Sequence, residues 1–262
     1  MHDCLSKLID IGKLAQSFIA SAKGLGLPYS FPDILPSEDH SLAFGQLYPI
    51  HLIGQPCLEN SGGNGGELGS AKRSMKYIGP QDLVPIISLS VSGDIIVFTG
   101  QNAGGKSTTM QAIIEAIYLA QSGLPIFGSG FQLNVKRVIG AVFLERGEGS
   151  TFQLLLEKHK ALLEELKKCS SSDIVLFIDE LGTGTQESGG YEYGKRLLQT
   201  LNKHGSSVVF ATQILELAKF AQTKLGAQCV NFSLDHTIRP GIGKGGHKEL
   251  MEKVGIDKLL LE

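Results

Sequence analysis

The chain has 262 residues, of which 42% are hydrophobic and 19% charged, with a formal net charge of −2 at pH 7. That length suits one large α/β domain or two small ones, and the near-neutral balance excludes this segment as the surface that grips a nucleic acid. The four cysteines, Cys4, Cys57, Cys169 and Cys229, lie far apart without C-x-x-C or histidine spacing, so they read as free thiols and no protein-ligated transition metal is expected.

Asp3, Lys7, Asp10 and Lys13 exclude a signal peptide or membrane span at the N-terminus, and the expected location is cytoplasmic, or nuclear in a eukaryote. From Leu5 to Ala22 the apolar residues recur at three- and four-residue spacing, which predicts a one-stripe helix stopped by Gly24, Gly26 and Pro28. With nothing before it to pack on, that helix reads as the tail of a longer element. The stretch from Tyr29 to His40 holds Pro32 and Pro36 and is expected to be an irregular connector. Phe44 to Ile53 suits a short strand, placed at a sheet edge by Pro49. The run ENSGGNGGELGSAKRS, from Glu59 to Ser74, is glycine-rich without apolar anchors and is expected to be flexible over 58–75. Apolar character resumes from Asp82 to Leu89.

The chain is organised around DIIVFTGQNAGGKSTT, Asp94 to Thr109. An apolar strand empties into G-x-x-x-x-G-K-[ST], and the helical run MQAIIEAIYLAQ follows. Gly104 and Gly105 let successive N–H groups turn inward as an anion-binding nest at a helix start. Lys106 supplies a point charge for the phosphates, and the Ser107 hydroxyl is suited to Mg²⁺. A plain glycine turn would have no need of the Lys-Ser pair. The expected ligand is a nucleoside triphosphate.

Beyond that helix, 123–130 reads as a loop and Val135 to Leu144 as a strand. Ser150 and Thr151 open the amphipathic helix TFQLLLEKHKALLEELKK, where helix cap and ligand contact are equally open readings. Asp173 to Asp179 (DIVLFID) reads as a buried parallel strand that ends on two acids, Asp179 and Glu180. A strand's carboxyl end faces the ligand crevice of an α/β sheet, so one acid is suited to a Mg²⁺ shell and the other to orienting or deprotonating water. Leu181 to Gly190 is a loop, Tyr191 to His204 a helix, and Ser207 to Ala211 a third buried strand running into Thr212 and Gln213. The alternation predicts an α/β fold with a mainly parallel core sheet and helices on both faces.

Four blocks, GQNAGGKST at 100–108, GEGSTF at 147–152, LFIDELGTGT at 176–185 and VVFATQILEL at 208–217, together resemble the ATPase domain of the MutS family of DNA mismatch-repair proteins, a branch of the ABC-type ATPases. The resemblance covers about residues 40–256. It divides the chain into 1–40, the end of a lever-type helix with a connector, and 41–262, the ATPase domain. The cofactors it implies are ATP and Mg²⁺. Gly100, Gln101, Asn102, Ala103, Gly104, Gly105, Lys106, Ser107 and Thr108 would hold the phosphates, with Asn102 near the γ-phosphate. Ser107 and Asp179 would complete the Mg²⁺ shell, and Glu180 would polarise water. Leu83 and Val84 would flank adenine, and Ser150 would reach the nucleotide of a partner subunit in trans. Implied partners are a second, identical or paralogous subunit sharing composite ATP sites, and DNA held by domains outside this chain, with no membrane.

The sequence departs from the family pattern in three ways. Gln213 stands where the family has a γ-phosphate histidine, which argues for slow hydrolysis because glutamine cannot carry a proton. Gln101 replaces a proline of the loop. The mismatch-reading and clamp regions are not in the sequence, so fragment and minimal, divergent homologue both stay open. The leading expectation is an ATPase whose nucleotide state controls a dimeric clamp. The alternatives are a non-hydrolysing, ATP-dependent dimerisation module, a transporter-type ABC subunit and, most distantly, a small-molecule kinase.

Overall fold

The computed structural model describes residues 2–36, 41–59, 74–100, 104–134, 137–143, 151–168, 174–183, 186–233 and 237–243. Helix α1 (His2–Leu25) ends where Gly26 takes a left-handed φ of +68°. Strands β1 (Asp33–Leu35) and β2 (Ser41–Leu47) follow, then the antiparallel pair β3 (Pro56–Glu59) and β4 (Ser74–Tyr77), and β5 (Ile86–Ser92). Strand β6 (Ile95–Gly100) leads to α2 (Lys106–Gln121), and β7 (Gly128–Ser129), β8 (Gln132–Asn134) and β9 (Arg137–Val142) lead to α3 (Thr151–Leu166). Then come β10 (Ile174–Ile178), α4 (Glu187–His204), β11 (Ser207–Ala211), α5 (Leu215–Leu225), β12 (Gln228–Phe232) and β13 (Ile238–Pro240). Among the described residues no helix is long and apolar enough to cross a membrane.

The main sheet has six strands in the order β13-β12-β6-β11-β10-β9. Every pairing is parallel except that of β13 with β12. Strands buried on both faces must be apolar throughout, and all five residues of β10 and of β11 are buried. The strand period of two splits their side chains between two cores. Ile96, Phe98, Phe177, Val209 and Phe232 pack with Met110, Ile113 and Ile117 of α2. Ile95, Val97, Leu176, Ile178 and Phe210 pack on the other side with Leu155 and Leu162 of α3, Leu198 and Leu201 of α4 and Leu217 of α5. The mixed α/β class, the mainly parallel core and the helices on both faces are borne out.

A second sheet, β1-β8-β2-β5 with β7 also pairing β2, covers the α2 side of the first. It corrects three expectations. The stretch read as an irregular connector contains β1, parallel to β8, because its prolines lie outside the three laddered residues. β2 is an interior strand between β8 and β5 and not an edge, since it ends at Leu47, before Pro49. The expected loop at 123–130 contributes Gly128 and Ser129 to the ladder. Of the glycine-rich loop expected at 58–75, the ends belong to β3 and β4, and 60–73 lies outside the described residues.

Two glycines fix how closely α4 sits on the loop after β10. A Cβ on Gly190 would strike the carbonyl oxygen of Gly182, and would meet Ile214 Cδ1 at 3.1 Å. Gly190→Ala is expected to lower stability by about 1–3 kcal/mol, the usual cost of overpacking a tight contact. Gly12→Ala, within α1 and with nothing within 4 Å of the added methyl, should instead stabilise by about 0.5–1 kcal/mol. Urea unfolding of the two variants checks the contrast.

Candidate functional site

Strands β6, β11 and β10 are neighbours in one parallel sheet, so their carboxyl ends open on one crevice. The sequence beyond each end is polar, and backbone bonds just past these ends tie them to one another and to β9. Asp179 N–H donates to Val142 O at 2.8 Å, Leu181 N–H to Ala211 O at 2.8 Å, and Thr212 N–H to Phe98 O at 3.1 Å. The Thr212 hydroxyl donates to Leu181 O at 2.9 Å and accepts from Ile214 N–H at 3.1 Å. On the other side of β6, the Thr99 hydroxyl donates to Val230 O at 3.0 Å and accepts from Gly243 N–H at 2.8 Å. Gly100, at φ +111°, has room for no side chain, because a Cβ there would strike the Phe232 carbonyl oxygen.

Gly105, at φ +95°, caps α2, and the first bond of the helix runs from Thr109 N–H to Gly105 O at 2.8 Å. The opening turn therefore directs its N–H groups and the positive end of the helix dipole at the crevice. Lys106 begins that turn and is buried. Its ammonium donates to Gly100 O at 2.9 Å. Burial draws the Lys106 pKa below its ordinary value, partly opposed by the carboxylates of Asp179 and then Glu180. Asp179 is itself buried, and its Oδ1 accepts from Glu180 N–H at 3.1 Å. Glu180 takes φ +51°, a left-handed conformation that costs a non-glycine residue about 1–3 kcal/mol. Thr183 fastens the turn by donating its hydroxyl to Glu180 O at 2.8 Å and its N–H to the same oxygen at 3.1 Å.

Beside the loop lies a cleft of about 230 Å³, bounded by Pro49, Leu83, Val84, Gly105, Thr108 and Phe232 among others. That is below the roughly 300–1,000 Å³ of pockets that enclose a whole small ligand, so the cleft suits one apolar part of a larger molecule. Leu83 is buried and Val84 is 66% exposed. Asp82 accepts from Gly79 N–H at 2.8 Å and so fixes the short turn that presents both.

Gly100, Gly104, Gly105, Lys106, Ser107, Thr108, Asp179 and Glu180 gather at the crevice, with Leu83 and Val84 at its adjoining cleft. Ser107 and Thr108 are half-buried in the first turn of α2. Gln213 is exposed just past β11. Gln101, Asn102, Ala103 and Ser150 lie outside the described residues. The sequence reading passed over Thr99, Thr212, Asp82, Gly182 and Gly190. A threonine at the end of each of two buried apolar runs, Thr99 in β6 and Thr212 just past β11, was the available signal, since a buried hydroxyl there needs a backbone partner.

Residues 96–242 match the family model described as MutS domain V. The chain is 31% identical over 181 residues to a protein named endonuclease MutS2 from Pelotomaculum thermopropionicum, covering 65% of this chain and 23% of that one. Proteins of the same name from Clostridium botulinum and Caldicellulosiruptor saccharolyticus are each 28% identical, over 70% and 69% of this chain and 24% of theirs. The chain thus spans about a quarter of the length of these relatives.

Thr99→Val keeps the side-chain shape but leaves Gly243 N–H without its acceptor. It is expected to cost about 1–3 kcal/mol in chemical denaturation, with Thr99→Ser close to wild type because it keeps the hydroxyl.

Proposed function

The chain belongs to the MutS family through its domain V, and from that premise we propose that it binds and hydrolyses ATP, its nucleotide state controlling a dimer that a larger assembly uses on DNA. The carrying observation is Lys106, held in a helix's first turn between the Gly100 carbonyl and the two carboxylates that end β10. A buried ammonium beside an open crevice and a helix N-terminus is suited to a polyanion. The phosphates rest on the backbone of 100–108, including Gln101, Asn102 and Ala103, with Lys106 as the point charge. Leu83 and Val84 take the base in the adjoining cleft. Ser107 and Asp179 fit Mg²⁺, which needs only one or two protein oxygens when phosphates supply others. Bound there, the ion would neutralise phosphate charge.

Glu180 is the base that orients and deprotonates the attacking water. Its strained backbone, fixed by Thr183, supports that role because it aims the carboxylate independently of Asp179. Gln213 hydrogen-bonds the γ-phosphate without carrying a proton, which favours slow turnover. Ser150, preceding α3, completes the nucleotide site of a second subunit, so that bound ATP favours the closed dimer and hydrolysis releases it. The endonuclease named in the relatives is not carried over, because the shared segment is about a quarter of their length.

Lys106→Ala should weaken ATP–Mg²⁺ binding by about 10- to 150-fold in isothermal titration, the loss of a charge-assisted contact. Wild-type affinity in the folded variant would remove the reading.

Glu180→Gln should bind ATP within about twofold of wild type and release phosphate about 10²- to 10⁴-fold more slowly. Undiminished release would remove Glu180 as the base. Tight binding with no turnover in the wild type would favour the non-hydrolysing reading, which Gln213 motivates.

A further inference from the structure

Helix α3 turns Leu155, Leu162 and Leu166 into the core beneath it, and His159 lies on the same face with 1% of its surface exposed. An apolar side chain would fill that position without desolvating an imidazole. His159 instead faces α4, where its Nδ1 lies 2.7 Å from the Tyr193 hydroxyl. Its Nε2 is buried with no hydrogen-bond partner among the described residues. The Tyr193 ring also spans the first two turns of α3. It stacks on His159 with centroids 5.8 Å apart and meets the Phe152 ring edge-on, at 84° and 5.8 Å. Burial pushes His159 down to about 4 and Tyr193 up to about 12, so the hydrogen bond joins two neutral groups across the neutral pH range.

The α4 end of this contact is anchored at the acid-bearing loop. Gly190 backs directly onto Gly182, and Gly194 leaves the space that Leu217 and Leu181 occupy. Tyr193 sits between those two glycines in sequence. One packed series therefore runs from Leu181 and Gly182, which directly follow Glu180, through the first turns of α4, to Tyr193, His159 and Phe152. We propose that His159 and Tyr193 are positioning residues, coupling the loop that carries Glu180 to the start of α3 and so setting how α3 meets a second copy of this chain when ATP is bound. The inference rests on the ATP-dependent dimer proposed above and adds the internal link between a subunit's own site and the one it completes. A hydrogen bond with ring contacts suits that task better than aliphatic packing, because it has one geometry and is lost when the helices shift.

The full chain contains no tryptophan, so Phe152→Trp places a single, selectively excitable tryptophan at the start of α3. Its emission should shift on adding ATP–Mg²⁺, and the shift should vanish in the Phe152→Trp, Tyr193→Phe double variant. In the otherwise native chain, Tyr193→Phe and His159→Leu should each lower kcat at least fivefold with KM for ATP within twofold. His159→Gln, whose amide can take up the hydroxyl's hydrogen bond, should recover at least half of the loss. If Tyr193→Phe does not fold, the contrast of His159→Leu with His159→Gln decides. Three results overturn the link while leaving ATP binding standing: a silent tryptophan in a chain that binds ATP, wild-type kcat in the folded variants, or identical behaviour of His159→Leu and His159→Gln. Failure of the wild type to bind ATP overturns the site reading and the link with it.

Discussion

An ammonium group withdrawn from water needs dipoles and opposite charge around it, and at Lys106 both come from the ends of strands. The β6 terminus gives the Gly100 carbonyl and the β10 terminus gives Asp179 and Glu180. Neither source works unless the strands stop at the right height relative to one another. The hydroxyls of Thr99 and Thr212 accordingly have a structural reason to be where they are, since each ties a strand end to a neighbouring segment. Desolvation at Lys106 is partly offset by a carbonyl and two acids, groups that a bound polyanion can displace or rearrange.

Much of this is legible in the sequence alone. Continuous apolar runs identified β6, β10 and β11, and the glycine-lysine-serine ending of the first marked the crevice, because both patterns are local. Non-local features were not legible. β12 passed unnoticed because its five residues, QCVNF, mix polar and apolar types, although it is the strand beside β6. Three residues of β1 are strand only because β8 offers a ladder, which no pattern within 29–40 announces. In the site, Lys106 and Asp179 could be paired from their motifs, whereas the fastening role of Thr212 depends on a carbonyl 31 residues away. The tight seat of Gly190 on Gly182 was equally invisible, as a glycine in a glycine-rich loop reads only as freedom.

The family match covers the central strand and the segment that caps its end. It begins at Ile96 in β6 and closes at Ile242, next to the Gly243 N–H that caps the Thr99 hydroxyl. The second sheet lies largely before that segment, yet it covers α2, and the segment between β4 and β5 supplies Leu83. Ala22 and Leu27 pack in one cluster with Leu83 and Phe127. The apolar cleft is thus walled in part by Leu83, whose packing cluster reaches back to α1, so the crevice is built within the family segment and the cleft beside it partly ahead of that segment.

The strand order also dictates a sequence of events during synthesis. β6 lies between β11 and β12, and the Thr99–Val230 bond at its end joins residues 131 positions apart. At about 5–20 residues per second, β6 leaves the ribosome on the order of ten seconds before either neighbour exists. One of its faces can be covered in the interval by α2 and the second sheet, whose strands all come from residues 33–134. Its two edges and its other face wait for the C-terminal half. The nascent chain therefore carries an apolar strand with both ladders open, an invitation to intermolecular pairing, and production of the protein should depend on holdase chaperones more than its finished surface suggests.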